Sequence, residues 1–414
     1  MNLEHAQQLI VDGQLLASEQ CAERRRQWLA GAGASNDGAA FVSWLVEQGD
    51  LSEFQGRAVQ AGIPGPYMLG PYRVTARQTA GRLGDVFLAE HVEFRQPVSL
   101  KVFPTALQRD PERLARLGRE ARVALQLEEH QNVVKTYQVG RVGEVSFIAF
   151  EALRGETLER RLAHYGRLPF GEACQLIQQA ALGLAYLHSQ DIVHRDICPA
   201  NLWVGAEERL KIMEFSAAHD AMSFIDSLDE EQPASKDDYD RLSSEQIRDR
   251  MRAAIRAARF YDYRSVAQVM DPNTTDVACD LYSLGCTFYQ CLAGRVPFPD
   301  RNPVRQMLRH AFEEPQPLGD FDPEIPHAVQ EVVSYLLAKN PDERYGTAQE
   351  VADALAIIMP LAIMPAPTVV APDFRQWIQT MDTDSVGVVK EVAAEPELQE
   401  FVDWLRQADE KEAN

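Results

Sequence analysis

His194-Arg195-Asp196-Ile197-Cys198-Pro199-Ala200-Asn201, followed a short way on by Glu214-Phe215-Ser216, is the stretch on which the reading of this chain turns. Leu184-Ala185-Tyr186-Leu187-His188-Ser189 reads as the end of a helix, so the charged stretch falls in the loop that follows it. The chain has 414 residues, 45% hydrophobic and 25% charged, enough for two core-bearing lobes with smaller appendages. A formal net charge of -21 opposes any general role in coating nucleic acid or an anionic membrane, because phosphate binding needs surplus Lys and Arg. The six cysteines show no C-x-x-C spacing, which predicts reduced thiols rather than a disulfide framework or a zinc site.

Working outward, the order of the other motifs is as informative as their content. Thr79-Ala80-Gly81-Arg82-Leu83-Gly84-Asp85-Val86 is a glycine-containing turn whose backbone could approach a phosphate closely. Val98-Ser99-Leu100-Lys101, Arg119-Glu120-Ala121, His130-Gln131-Asn132-Val133-Val134 and Phe147-Ile148-Ala149-Phe150-Glu151-Ala152-Leu153 follow it. Beyond the charged loop come Asp280-Leu281-Tyr282-Ser283-Leu284-Gly285, the turn Val296-Pro297-Phe298, Lys339-Asn340-Pro341-Asp342-Glu343-Arg344 and a helix start at Thr347-Ala348-Gln349-Glu350-Val351.

In this order the motifs resemble those of protein kinases, and most of all the bacterial Ser/Thr kinases, whose catalytic loop reads H-R-D-x-K-P-x-x-N and whose metal motif reads D-F-G. The resemblance implies an α+β, bilobal kinase fold over 69–359, with a small β-rich lobe and a large helical one. It also implies roles. Asp196 accepts the substrate hydroxyl proton, Lys101 holds the nucleotide phosphates with Glu120 as its partner, and Asn201 and Glu214 face metal. Gly81, Gly84, Val86, Glu151, Leu153 and Trp203 surround the nucleotide, with Phe150 as gatekeeper of the adenine hinge. Asp280 braces the catalytic loop.

Several positions depart from the family. Cys198 replaces the catalytic-loop lysine; a thiol with an ordinary pKa near ~8.5 is mostly neutral and would repel phosphate as a thiolate. Loss of one preorganised donor costs on the order of 10²- to 10³-fold in rate. Glu214 replaces the metal-holding aspartate and is longer by a methylene, a displacement that can cost about 10²-fold. Ser216 replaces the flexible glycine of D-F-G, Ser99 the alanine of V-A-I-K, and Thr79 the first glycine of the turn. The segment 214–280 is longer than usual, with an acidic run from Asp226 to Asp240 and then Arg248, Arg250, Arg252, Arg256 and Arg259 on an expected helix. The A-P-E motif is not found, the nearest register giving Ser265-Val266-Ala267, which leaves Arg344 without its usual glutamate.

Flanking the kinase-like region, 1–66 is expected to be a bundle of roughly four helices with Gly13 and Gly49 as C-caps. A Pro-rich linker, 360–372, leads to helices over 373–414, where Leu398, Phe401, Val402 and Leu405 form one apolar stripe. The N-terminus lacks the pattern of a signal peptide, and Pro360, Pro365 and Pro367 interrupt the most apolar stretch, so a cytoplasmic protein is expected. These features together predict a degenerate kinase that acts as a regulatory or scaffolding module with protein partners, in an oligomeric state the sequence leaves open. ATP is its expected nucleotide, and Mg²⁺ binding is placed in doubt by Glu214. The alternatives are a weakly active ATP-dependent Ser/Thr kinase, with another cation replacing the missing lysine, and a nucleotide sensor.

Overall fold

The computed structural model describes residues 1–31, 36–63, 65, 67–81, 84–103, 123–143, 145–205, 208–213, 261–270, 276–300, 302–358 and 387–388. Glu120, Glu214, the arginine-rich stretch and the C-terminal apolar stripe lie outside these residues. The chain divides into two compact units, one made of Met1–Leu125, Thr136–Leu153 and Val369–Asn414, the other of Gln126–Lys135 and Arg154–Thr368.

The first unit begins with four helices: α1 (Leu3–Asp12), α2 (Ser18–Ala30), α3 (Gly38–Glu47) and α4 (Glu53–Gln60). The starts of α1, α3 and α4 are set by side-chain caps, while α2 begins after Ala17 without one. Asn2 accepts from the His5 amide at 2.8 Å, Asp37 from Ala39 at 2.9 Å, and Ser52 with Gln55 forms a reciprocal capping box. Gly13 caps α1 as expected, although its φ is -71° and the left-handed residue is Gln14 at +55°. What requires glycine at position 13 is proximity: an added Cβ would lie 2.5 Å from the Tyr67 ring, and one on Gly65 would lie 2.0 Å from the Gly13 Cα. At α3 the C-cap is Gln48, one residue before the left-handed Gly49, because the helix already closes through the Gln48 amide on the Trp44 carbonyl.

The sheet that follows comprises β1 (Met68–Leu69), β2 (Tyr72–Gly81), β3 (Gly84–His91), β4 (Pro97–Val102), β5 (Thr136–Val142) and β6 (Val145–Glu151), in spatial order β1-β2-β3-β4-β6-β5. Neighbours among these run antiparallel, and the last described strand, Gly387–Val388, pairs parallel with β5. Strand alternation sorts the two faces. Val74, Phe87, Ala89, Val98, Leu100, Val102, Phe147 and Ala149 join Phe41, Phe54, Val59 and Tyr67 in one buried core, so the helices cover this face of the sheet. Each Val, Leu or Phe among them contributes about 1.5–3 kcal/mol on burial. The α4 capping box fixes the contact, since Ser52 Oγ donates to the Thr75 carbonyl at 2.5 Å and Gln55 Nε2 to the Val74 carbonyl at 2.9 Å. Ser99 and Lys101, alternating with those core residues along β4, face the other way.

The second unit holds β7 (Gly155–Thr157), α5 (Leu158–Tyr165), α6 (Phe170–Ser189), a 3-10 turn (Pro199–Asn201), β8 (Leu202–Gly205), β9 (Leu210–Ile212), α7 (Val266–Met270), α8 (Val277–Ala293), α9 (Pro303–Phe312), α10 (His327–Leu336) and α11 (Ala348–Ile358). Helices α6 and α8 are apolar around most of their circumference and run through its core beside α10 and α11. The small sheet β7-β8-β9 lies against this core and holds the loop that precedes it in register: Ile212 N–H donates to the Asn132 carbonyl at 2.8 Å, and Val134 N–H to that of Ile212 at 3.0 Å. The architecture is α+β, a small β-rich unit and a large helical one, as a protein kinase fold requires. Among the described residues, no helix is long and apolar enough to cross a membrane.

Candidate active site

In the helical unit the charged loop is organised around one buried carboxylate. Asp280, in the first turn of α8, has no exposed surface. Its Oδ1 accepts from the Arg195 amide at 2.7 Å, and its Oδ2 from the His194 amide at 2.7 Å and His188 Nε2 at 2.9 Å. The N-terminal end of α8 favours negative charge at this place. Two amides pinned to one carboxylate hold Arg195 at a φ of +70°, a left-handed conformation that non-glycine residues avoid. His194 completes the turn: Nε2 donates to the Met213 carbonyl at 2.7 Å, leaving Nδ1 to accept from the Asp196 amide at 3.2 Å.

The Asp196 side chain, also buried, is bound at both oxygens. Asn201 Nδ2 donates to Oδ2 at 2.9 Å and to the Asp196 carbonyl at 2.8 Å, bending the loop into the 3-10 turn. Arg264 Nη2 donates to Oδ1 at 3.0 Å, and the Arg264 and Asp196 side chains are 5% and 6% exposed. Such a charge-assisted bond is stronger than one between neutral groups. Gln268, on α7, adds a second tie from the same segment, with Nε2 donating to the Arg195 carbonyl at 2.5 Å. Arg264 was not anticipated from sequence; the only signal was its place immediately before the displaced Ser265-Val266-Ala267. Cys198 sits buried between Asp196 and Asn201 with an extended backbone. None of the six cysteines is in a disulfide. Trp203, on β8, is buried, and its indole N–H has no hydrogen-bond partner among the described residues.

Arg344, which lost its expected glutamate, is re-housed on carbonyls. Its guanidinium donates to those of Ala338 at 2.8 Å and Ala278 at 2.9 Å and lies 4.7 Å from the Tyr282 ring centre.

In the sheet unit, Lys101 is buried on β4, its Cα opposite Val86 on β3 and Ile148 on β6. Gly81 and Gly84 pair across the β2–β3 hairpin. Glu151 ends β6 and Leu153 follows, both buried. The sequence expectations thus fall into two groups, Asp196 with Cys198 and Asn201 on one unit, and Lys101 with Val86, Glu151 and Leu153 on the other.

The residues fit a hard cation in one respect: Asn201 spends its amide nitrogen on Asp196, leaving Oδ1 as the oxygen a metal would use.

Residues 73–231 match the protein kinase domain family. The chain is 29% identical over 327 residues to the serine/threonine-protein kinase PknB of Mycobacterium leprae, covering 78% of this chain and 48% of that protein. It is 27% identical over 286 residues to PrkC of Bacillus subtilis, covering 69% and 40%. The chain therefore spans less than half the length of these relatives. The crystal structure of the Mycobacterium tuberculosis PknI kinase domain superposes with a TM-score of 0.51 at 24% identity, covering 70% of this chain and 97% of that one, a likeness of fold.

Proposed function

Because this chain contains a protein kinase domain of the bacterial Ser/Thr type, we infer that it works as a regulatory module of that fold, engaging protein partners and transferring phosphate slowly if at all. One observation carries this: the Asp196 carboxylate, the expected proton acceptor, is held in a buried ion pair by Arg264. With a charged donor on one oxygen and an amide on the other, the carboxylate must give up a partner before it can accept a substrate proton, and Cys198 brings no ammonium to the phosphoryl group. Bound ATP and Mg²⁺ would supply the transferable group and neutralise its charge. Lys101 would meet the phosphates and Asn201 the metal.

A second reading rests on the same contact. Arg264 places a permanent cation 3.0 Å from Asp196, in the same loop where Cys198 brings none, and would make the domain a weak ATP-dependent Ser/Thr kinase. Transfer of labelled phosphate to generic Ser/Thr substrates, measured with Mg²⁺ for wild type, Asp196→Ala, Arg264→Ala and the triple variant Cys198→Lys, Glu214→Asp, Ser216→Gly, separates the two. The regulatory reading expects wild type to match Asp196→Ala and the triple variant to exceed both. Robust wild-type transfer abolished by Asp196→Ala and by Arg264→Ala establishes the kinase instead.

A further inference from the structure

The backbone beyond β6 carries a closed ring of hydrogen bonds. The Leu153 amide donates to Ser99 Oγ at 3.1 Å, Ser99 Oγ donates to Gln78 Oε1 at 2.8 Å, and Gln78 Nε2 returns a bond to the Leu153 carbonyl. Both main-chain polar groups of Leu153 are thereby satisfied by side chains.

Local structure explains how Gln78 arrives there. The β2–β3 ladder pairs Arg77 with Phe87 and Thr79 with Val86, and the register shift between them leaves Gln78 without an opposing residue. Such a bulge re-aims the side chain it contains. Ser99 stands two residues before Lys101 on β4, on the same face of the sheet, and is fully buried. An alanine at position 99 could not relay the bond. The ring therefore depends on two side chains that meet only through the β2 bulge.

Leu153 is the last residue of the stretch that resembles the strand leading to an adenine hinge, where a base is read by backbone donors and acceptors. A primary carboxamide offers the same pair of functions as the edge of a 6-aminopurine: an acceptor, here relayed through the Ser99 hydroxyl, and an N–H donor. We propose that Gln78 and Ser99 form an internal cap on the hinge and set nucleotide affinity, because a purine must displace the carboxamide to reach the Leu153 amide and carbonyl. The inference rests on the kinase reading of the hinge, but binding tests it rather than turnover, so the Asp196 and Arg264 experiment can fail independently.

The experiment is titration calorimetry of the full chain with ATP, with and without Mg²⁺, for wild type, Gln78→Ala and Ser99→Ala. Thermal melts and hydrogen exchange at the Leu153 amide accompany it. Each variant breaks the ring, so each is expected to tighten ATP binding by about tenfold, the size of one or two net hydrogen bonds. Faster Leu153 exchange, with the rest of the protection pattern kept, is expected beside it. Binding that is unchanged or weaker in a folded Gln78→Ala variant overturns the cap, as does the absence of nucleotide binding in all three proteins. If one variant fails to fold, the other carries the test, since both break the same ring.

Discussion

Asp280→Ala tests the brace of the catalytic loop. Three donors converge on this fully buried carboxylate, the amides of His194 and Arg195 at 2.7 Å each and His188 Nε2 at 2.9 Å. Removing the acceptor leaves buried N–H groups unsatisfied at about 1–3 kcal/mol each, and the space vacated by the side chain admits water that recovers part of this, so a net loss of about 3–6 kcal/mol is expected. Asp280→Asn does not restore the brace: both oxygens already accept from backbone N–H groups, so either orientation of the amide sets its NH₂ against a donor. About 2 kcal/mol or more is expected to be lost there too. The assay is urea unfolding followed by tryptophan fluorescence, with hydrogen exchange at His194 and Arg195. A loss below 1 kcal/mol in the alanine variant, with both amides still protected, would refute the brace.

Two further outcomes follow from contacts already described. His310, on α9, is buried, with the Tyr282 hydroxyl 2.9 Å from Nδ1; burial, and then the nearby Lys339 and Arg309, push its pKa down from 6.5 to about 3. The folded protein keeps it neutral while the unfolded chain protonates, so its contribution is complete above pH ~6.5 and is lost as pH falls toward 3, about 2 kcal/mol by pH 5; melting temperatures between pH 7 and 5 should fall less steeply in His310→Gln, and parallel slopes would count against this. Gly65→Ala drives a Cβ to within 2.0 Å of the Gly13 Cα, an overpacking worth ~1–3 kcal/mol or more, and should lower the melting temperature and speed proteolysis within residues 1–63; an unchanged digestion pattern would contradict the packing.

Much of this was legible in the sequence, and the residues that were not share a physical reason. The strand holding Lys101, the end of α6 at Ser189 and the start of α11 at Ala348 fall where apolar periodicity and motif order place them, because short-range patterning fixes them. The brace on His194 and Arg195 was expected as a role of Asp280, although its geometry was not. Arg264, Gln78 and Ser99 differ. Their partners lie 68, 75 and 54 positions away in the chain, and no local pattern encodes a contact at that separation. Ser99 was visible only as a departure from alanine, and Gln78 gave no signal at all, because a one-residue bulge changes where a side chain points without changing strand periodicity. The caps of α1 and α3 were placed to within a residue, since glycine marks a helix end and its exact register depends on tertiary contacts such as that of Gly13 with Tyr67.

The shared core of the helices and the sheet also sets a timetable for synthesis. About ninety residues separate the end of α4 at Gln60 from the end of β6 at Glu151, which at 5–20 residues per second is a wait of roughly 5 to 18 s on the ribosome. During that wait Phe54 and Val59 have no sheet to cover them, while Trp28, Phe41 and Trp44 can already gather among the helices at ring separations near 6 Å. The helices are thus the first part of this shared core to be synthesised, and the sheet that carries Lys101 completes it only after they have emerged.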